Sequence, residues 1–271
     1  EYQRYRGSEA FTRDGAFWAE QRRQLPPPAS LSASPLPGRA ATTDILRLKL
    51  STDRHAFSQL AAAAPGSQPA DLALALVSLW LGRLCGRNEY AAGFIFMRRM
   101  GSAALCATGP VLNVLPLAVH IDPTATLPQL AASLAAQLKK MRRHQRYDAE
   151  QIVRDSGRPA GDEPLFGPVL NIKVFDYQLD LDGISAVTHT LATGPVNDLE
   201  MALFPDEQGG LTIELLANKA RYDEAELTGH AQRLTLLVQQ FAADPQLRCG
   251  DADLLTAEEN QRLAQINATG V

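Results

Sequence analysis

Side chains that bind metals or act as nucleophiles are scarce in this sequence. Three of its 271 residues are cysteine. Cys85, Cys106 and Cys249 show no Cys-x-x-Cys spacing and no histidine at metal-ligand distance. This excludes a disulfide framework or a zinc module and leaves reduced thiols, with Cys85 expected in a core. The five histidines, His55, His120, His144, His189 and His230, are scattered, with no adjacent pair and no His-Glu-x-x-His pattern. Nucleophile elbow, P-loop and dinucleotide fingerprint are missing as well. No metal site, no cofactor-binding motif and no self-sufficient catalytic constellation is legible. Long apolar runs are also lacking. The greasiest stretch, residues 72–81, has about half of the ~20 residues that a membrane-spanning helix needs. Excess positive charge is absent, since the net charge is −4, which argues against a nucleic-acid surface. No secretory signal is legible, so a cytoplasmic protein with neither membrane nor nucleic-acid partner is expected. The chain opens on Glu1 and stops at Val271 without a terminal element, as a piece of a longer multidomain protein would.

What is present is an ordinary globular composition, 45% hydrophobic and 21% charged. Residues 1–24 read as a helix with aromatic side chains packed on something outside the chain. Residues 25–39 hold Pro26, Pro27, Pro28, Pro35, Pro37 and Gly38 and read as a connector. Residues 70–85, apolar on nearly every side, predict a buried helix. The clearest amphipathic helix spans 127–143. Leu127, Leu130, Leu134, Leu138 and Met141 repeat at three- and four-residue steps, and Thr126 with Gln129 forms a capping box. Its end carries the one dense basic run, Lys139-Lys140-Met141-Arg142-Arg143, suited to a solvated helix terminus or to an acidic partner. Further helices are predicted over 148–154, over 222–241 with a cap at Asp223 and Glu226, and weakly over 257–266. Apolar or alternating runs predict strands over 45–50, 90–97, 111–121, 169–175, 186–192, 199–204 and 211–217. Pro116 demands a bulge or an edge position. Asp182-Gly183 reads as a turn, and His230 as a satisfied histidine at the core boundary. The expected fold class is α/β, a two-layer sandwich of a mixed β-sheet covered by helices.

Four segments combine Gly, Pro, Asn and charge at element edges: residues 97–101, 108–117, 144–150 and 194–200. Each alone is ordinary turn chemistry. In this order they resemble the condensation domain of nonribosomal peptide synthetases. Gly109 to Leu117 is similar to that family's Gly-x-x-x-Asn-x-Leu-Pro-Leu segment. His144-Gln145-Arg146-Tyr147 resembles its His-Gln-x-Tyr segment, and Arg154-Asp155-Ser156 with Pro164-Leu165-Phe166 resembles the one that follows. The final residues, Leu254-Leu255-Thr256 to Asn267-Ala268-Thr269, are similar to a linker into an adenylation domain. The departure is that the family's His-His-x-x-x-Asp-Gly motif, with its catalytic histidine, is absent. Asp182-Gly183 has no histidine pair before it.

The resemblance implies a chloramphenicol-acetyltransferase-like half-domain. Its parts would be an opening helix and proline-rich connector (1–40), the C-terminal subdomain (41–245) and the start of a linker to an adenylation domain (246–271). It implies the C-terminal half of a domain that joins 2,3-dihydroxybenzoate, carried on an aryl carrier protein, to serine on a peptidyl carrier protein, in siderophore synthesis. No cofactor would bind directly, since the substrates arrive on phosphopantetheine arms of the carriers. The remaining partners would be the N-terminal half of the same domain and the adjacent adenylation domain. No catalytic residue is expected here; the candidates for the substrate-tunnel wall and floor are Asn197, Asp198, Arg98 and Arg99. Asn113 and His144 read as structural. The rival readings are a non-catalytic carrier-docking module and an epimerisation or stand-alone acyltransferase relative of the same fold.

Overall fold

The computed structural model describes residues 2–34, 44–98, 108, 111–157, 164–174, 180–181, 184–185, 193–205 and 209–268. The chain is organised around helix α4, Pro69–Leu84, in which every residue from Leu72 to Gly82 is buried. An apolar helix of this kind is stable only inside other layers. It starts on Pro69 as its first residue, where the missing N–H is no loss. Around it pack α5 (Leu127–Arg142), α7 (Glu224–Ala243) and the sheet.

The strands are β1 (Ile45–Ser51), β2 (Glu89–Met97), β3 (Leu112–His120), β4 (Val169–Ile172), β5 (Asp180–Leu181), β6 (Ile184–Ser185), β7 (Leu199–Pro205) and β8 (Leu211–Asn218). Six of them form one mixed sheet in the order β1-β8-β7-β4-β2-β3, parallel at β2/β4 and β4/β7 and antiparallel elsewhere. Alternation assigns its faces. Tyr90, Ala92, Phe94 and Phe96 of β2, Leu115, Leu117 and Val119 of β3, and Ile213, Leu215 and Ala217 of β8 join the core with α4. The opposite face carries Gly93, Val114, Asn171, Glu200 and Glu214, with Arg47 and Lys49 exposed on β1. There Asn171 donates to Glu200 at 3.0 Å. This is the expected mixed sheet, with helices on the apolar side.

Pro116 lies on β3, an edge strand, opposite Gly93. Gly93 N–H donates to Pro168 on the β4 side at 2.8 Å, so this pair is not a hydrogen-bonded one, and the nitrogen of Pro116 faces the free side. The missing donor therefore costs no bond. Gly93 also has no room for a side chain: a Cβ there would stand 2.6 Å from the Phe166 ring.

Several expectations are corrected. The opening helix is two helices, α1 (Tyr2–Arg6) and α2 (Glu9–Arg23), divided at Gly7 and Ser8, with Ser8 capping α2. They pack on this chain itself: Tyr5 and Trp18 are 3% and 1% exposed, and the Trp18 indole donates to the His144 carbonyl at 2.9 Å. Helix α3 (Arg54–Ala63), where no element was predicted, is capped by Asp53 and buries Phe57 and Leu60. Residues 246–252, which follow the boundary expected at 245, are partly seated against the rest of the chain. Cys249 and Ala252 are buried, Cys249 N–H donates to Ala125 O, and Arg83 donates to Ala252 O. Helices α6 (Ala149–Arg154) and α8 (Ala257–Asn267) form as predicted, α8 without a buried residue. Cys85 is only half-buried, at the end of α4. The strand expected over 186–192, the turn residues Asp182 and Gly183, and Cys106 and His189 lie outside the described residues. None of the described helices is long and apolar enough to cross a membrane.

Candidate functional site

Two of the four conspicuous segments form one structural unit. Asn113, 7% exposed at the start of β3, donates to the carbonyls of Gln145 and Tyr147 at 3.0 and 2.8 Å. Its carbonyl accepts from Ala149 N–H at the beginning of α6. One amide thus ties the edge strand to the turn between α5 and α6. His144 in that turn stacks on Phe17, with centroids 4.0 Å apart, and its Nδ1 is 2.8 Å from Asp14 Oδ1. Asp14, 2% exposed, also accepts from the Tyr5 hydroxyl at 2.7 Å. Burial first, then the bond to Asp14, drives the Tyr5 hydroxyl far above the usual phenol range, so it stays a donor. The Asn113 amide, the Asp14 carboxylate and the Tyr5 hydroxyl are all bonded within the chain. Asn113 and His144 thus hold the corner together.

Arg98 follows β2 at the same end of the sheet. Its guanidinium pairs with Asp148 at 2.8 Å, both side chains about one quarter exposed or less. Arg99 lies outside the described residues. Asn197 and Asp198 sit at the other end, before β7. Register places Gly93, Val169 and Glu200 in one row. Arg98 follows that row and Asn197 precedes it, on the order of 25 Å apart along the strands at about 3.3 Å per residue. The fold does not bring these candidates together.

In residues 193–198 the first three are exposed, then Val196 is buried, Asn197 exposed and Asp198 buried. Asp198, 1% exposed, therefore lies beneath the loop surface on which Asn197 is presented. Its Oδ1 accepts from Ser30 Oγ at 2.9 Å, Arg221 Nε at 3.0 Å and Tyr222 OH at 2.8 Å. Its Oδ2 has no partner. Burial first, then the Asp198 charge, pushes the Tyr222 hydroxyl well above the ordinary phenol value. Asn218, at the end of β8, grips the same loop twice: its side chain donates to Val196 O at 2.8 Å and its backbone N–H to Asp198 O at 2.9 Å. The Cys85 thiol donates to the Ser30 carbonyl at 3.3 Å and is pushed up to about 11, chiefly by burial.

Sequence reasoning missed Ser30, Asn218, Arg221 and Tyr222. Two signals were available: the alternating serines of Ser30-Leu31-Ser32-Ala33-Ser34, and the polar run Asn218 to Asp223 between a strand and a helix. Among the described residues no group of three or more His, Cys, Asp or Glu side chains could hold a metal. A cleft of about 370 Å³ opens among Arg22, Arg23, the Leu25–Pro28 stretch, Pro164 and Leu165, and none of the predicted site residues lines it.

A model of the condensation domain matches residues 1–264. The chain is 72% identical over 271 residues to enterobactin synthase component F of Escherichia coli strain K12, covering 100% of the chain and 21% of that protein. It is 35% identical over 263 residues to vanchrobactin synthetase VabF of Vibrio anguillarum, covering 97% of the chain and 9% of that protein. Among solved structures it resembles the first condensation domain of the calcium-dependent antibiotic synthetase with a substrate analogue, with a TM-score of 0.81 and 25% identity over 94% of this chain and 56% of that one. It also resembles the starter condensation domain of rhizomide synthetase with C8-CoA, with a TM-score of 0.78 and 29% identity over 93% of this chain and 57% of that one.

Proposed function

The chain belongs to the condensation-domain family, and from that premise we propose that it is the C-terminal half of a domain that makes the amide of an aryl-acid siderophore. The observation that carries this is its 72% identity, over all of this chain and 21% of the relative, with enterobactin synthase component F. In this reading the donor is 2,3-dihydroxybenzoate, held as a thioester on the phosphopantetheine arm of an aryl carrier protein. The acceptor is serine on a peptidyl carrier protein. The serine amine attacks the thioester carbonyl, the C–N bond forms and the C–S bond breaks. The amine loses a proton and the donor arm leaves as its thiol.

Tethering both substrates makes the encounter effectively intramolecular, which removes on the order of 7–11 kcal/mol of barrier in favourable cases. The family's histidine pair, which would handle the proton, has no counterpart among these residues. This half would supply a wall of the substrate tunnel at Arg98 and Arg99 and a floor at the loop before β7. Asn197 is exposed there, on a loop fixed on both sides, and its amide suits a hydrogen bond to the oxyanion of the tetrahedral intermediate. Residues 1–40 would enter from the N-terminal half, 41–245 form the subdomain, and 246–271 lead toward an adenylation domain.

The test uses carrier proteins loaded with the two substrates and mass-spectrometric detection of the amide. The chain alone should give none. In the longer synthetase, Asn197→Ala should lower single-turnover rates by roughly 10²–10³, the scale for losing one oxyanion donor. Amide formation by the chain alone, or a normal rate for the variant, would remove the corresponding part of the proposal. A longer protein that binds loaded carriers and makes no amide would establish the docking module instead.

A further inference from the structure

Three chain segments distant in sequence converge on one carboxylate oxygen beneath the Asn197 loop. The connector contributes Ser30, the β8–α7 turn contributes Arg221 and Tyr222, and the loop itself contributes Asp198. The connector is wound further onto the same arginine. Arg221 donates to Ser30 Oγ at 3.2 Å and to Ser34 O at 2.9 Å, while Ser32 Oγ donates to Arg221 O at 3.2 Å. The side chains of the Arg221–Asp198 ion pair are 6% and 0% exposed. With Asn218 gripping Val196 O and Asp198 O, the residues on both sides of Asn197 are fixed and buried, and Asn197 is exposed between them.

We infer that Asp198 is a positioning residue, which through Ser30, Arg221 and Tyr222 sets where Asn197 stands in the tunnel floor. The inference rests on the condensation reading above and adds its second layer. Three features favour a positioning role over plain loop stability. All three donors crowd onto Oδ1, which fixes the carboxylate in rotation as well as in place. The donors come from two segments, the connector and the β8–α7 turn, so the loop is registered against both the connector and the end of the sheet. Asn218 already braces the loop backbone, through Val196 O and Asp198 O, apart from this cluster.

The test avoids removing the buried charge. Tyr222→Phe and Ser30→Ala each delete one hydroxyl and leave the Arg221 pair intact. In the longer synthetase with both carriers loaded, each should lower kcat by about tenfold, within the roughly 10²-fold that a 1 Å misplacement costs, with KM for either carrier unchanged. Ser30→Thr, which keeps a hydroxyl, should restore the rate. In an Asn197→Ala background the same deletions should cost nothing further, because there is no amide left to place. Rate losses that add fully to that of Asn197→Ala, an effect on KM alone, or a lowered Tm with normal kcat would overturn the inference. A normal rate for Asn197→Ala by itself would instead overturn the role of Asn197, and this inference with it. The two failures are thus told apart by a single variant.

Discussion

Neighbouring residues 197 and 198 differ in what they risk. Asp198→Ala would remove the buried carboxylate from its ion pair with Arg221, a loss of about 3–5 kcal/mol that should appear as a lower urea midpoint. Asn197→Ala, on the exposed side of the same loop, should stay within about 0.5 kcal/mol of the parent. Equal losses from the two would refute the division into an anchor and a presented group. Sequence alone could not assign these roles. Asn and Asp are equally good loop formers, and only packing decides which turns inward. For Asn113 the outcome was legible, since an amide between a turn-rich segment and a strand has backbone groups to satisfy.

His230 shows a similar limit. Its place at the core boundary is as expected, but its Nδ1 is buried with no partner, so the expected satisfaction is missing. Desolvation first, and then the nearby Arg233 charge, lowers its pKa from the ordinary 6.5. The folded state therefore resists protonation that the unfolded chain accepts. Stability should be full above pH about 6.5 and decline as the pH falls below it. Urea midpoints measured from pH 7.5 to 5.5 should show this decline, and His230→Leu should reduce it. An identical pH profile in the variant would exclude His230 as its source.

At the scale of elements, α5 was legible because its apolar repeat, its Thr126 start and its basic end agree with one another. Gln129 Oε1 accepts from Thr126 N–H at 2.8 Å, as the pattern requires. Helix α3 was not read. Its ten residues carry only Phe57 and Leu60 as large apolar anchors, and its existence depends on packing against α7. Helix α4 was legible as buried, though not how tightly it is seated. A Cβ on Gly82 would stand 2.8 Å from the Arg87 carbonyl and collide with Ile121 Cδ1. Gly82→Ala gains helix propensity, on the order of 1 kcal/mol, against an overpacking cost of about 1–3 kcal/mol. The backbone obstacle cannot rotate away, so the cost should win. Thermal denaturation should give a lower Tm for Gly82→Ala, and a raised Tm would show that the turn after α4 yields.

For the whole molecule, α/β class and a mixed sheet with helices on its apolar side followed from strand and helix periodicities. The strand order did not, because it depends on pairings between residues far apart in sequence. One end of the sheet gathers exposed apolar side chains. Met97 and Leu112 face each other across β2 and β3 at 43% and 48% exposure, and Val174 after β4 is 64% exposed. Adjacent apolar groups of this kind commonly drive association. Sedimentation velocity should show concentration-dependent self-association of the chain, weakened in a Met97→Ser, Leu112→Ser variant. A strictly monomeric chain at high concentration would contradict this.

The proline opposite Gly93 determines which way such association can run. A sheet grows sideways when an incoming strand finds an unbroken row of donors and acceptors on a free edge. On β3 that row is interrupted at its middle, where Pro116 presents a ring carbon in place of an N–H. On the opposite flank β1 lines its outer face with Arg47 and Lys49, and strand-by-strand recruitment of further copies meets repulsion between like charges. Among the described residues, neither flank favours growth by strand addition, and association through the apolar end of the sheet would not lengthen the sheet sideways.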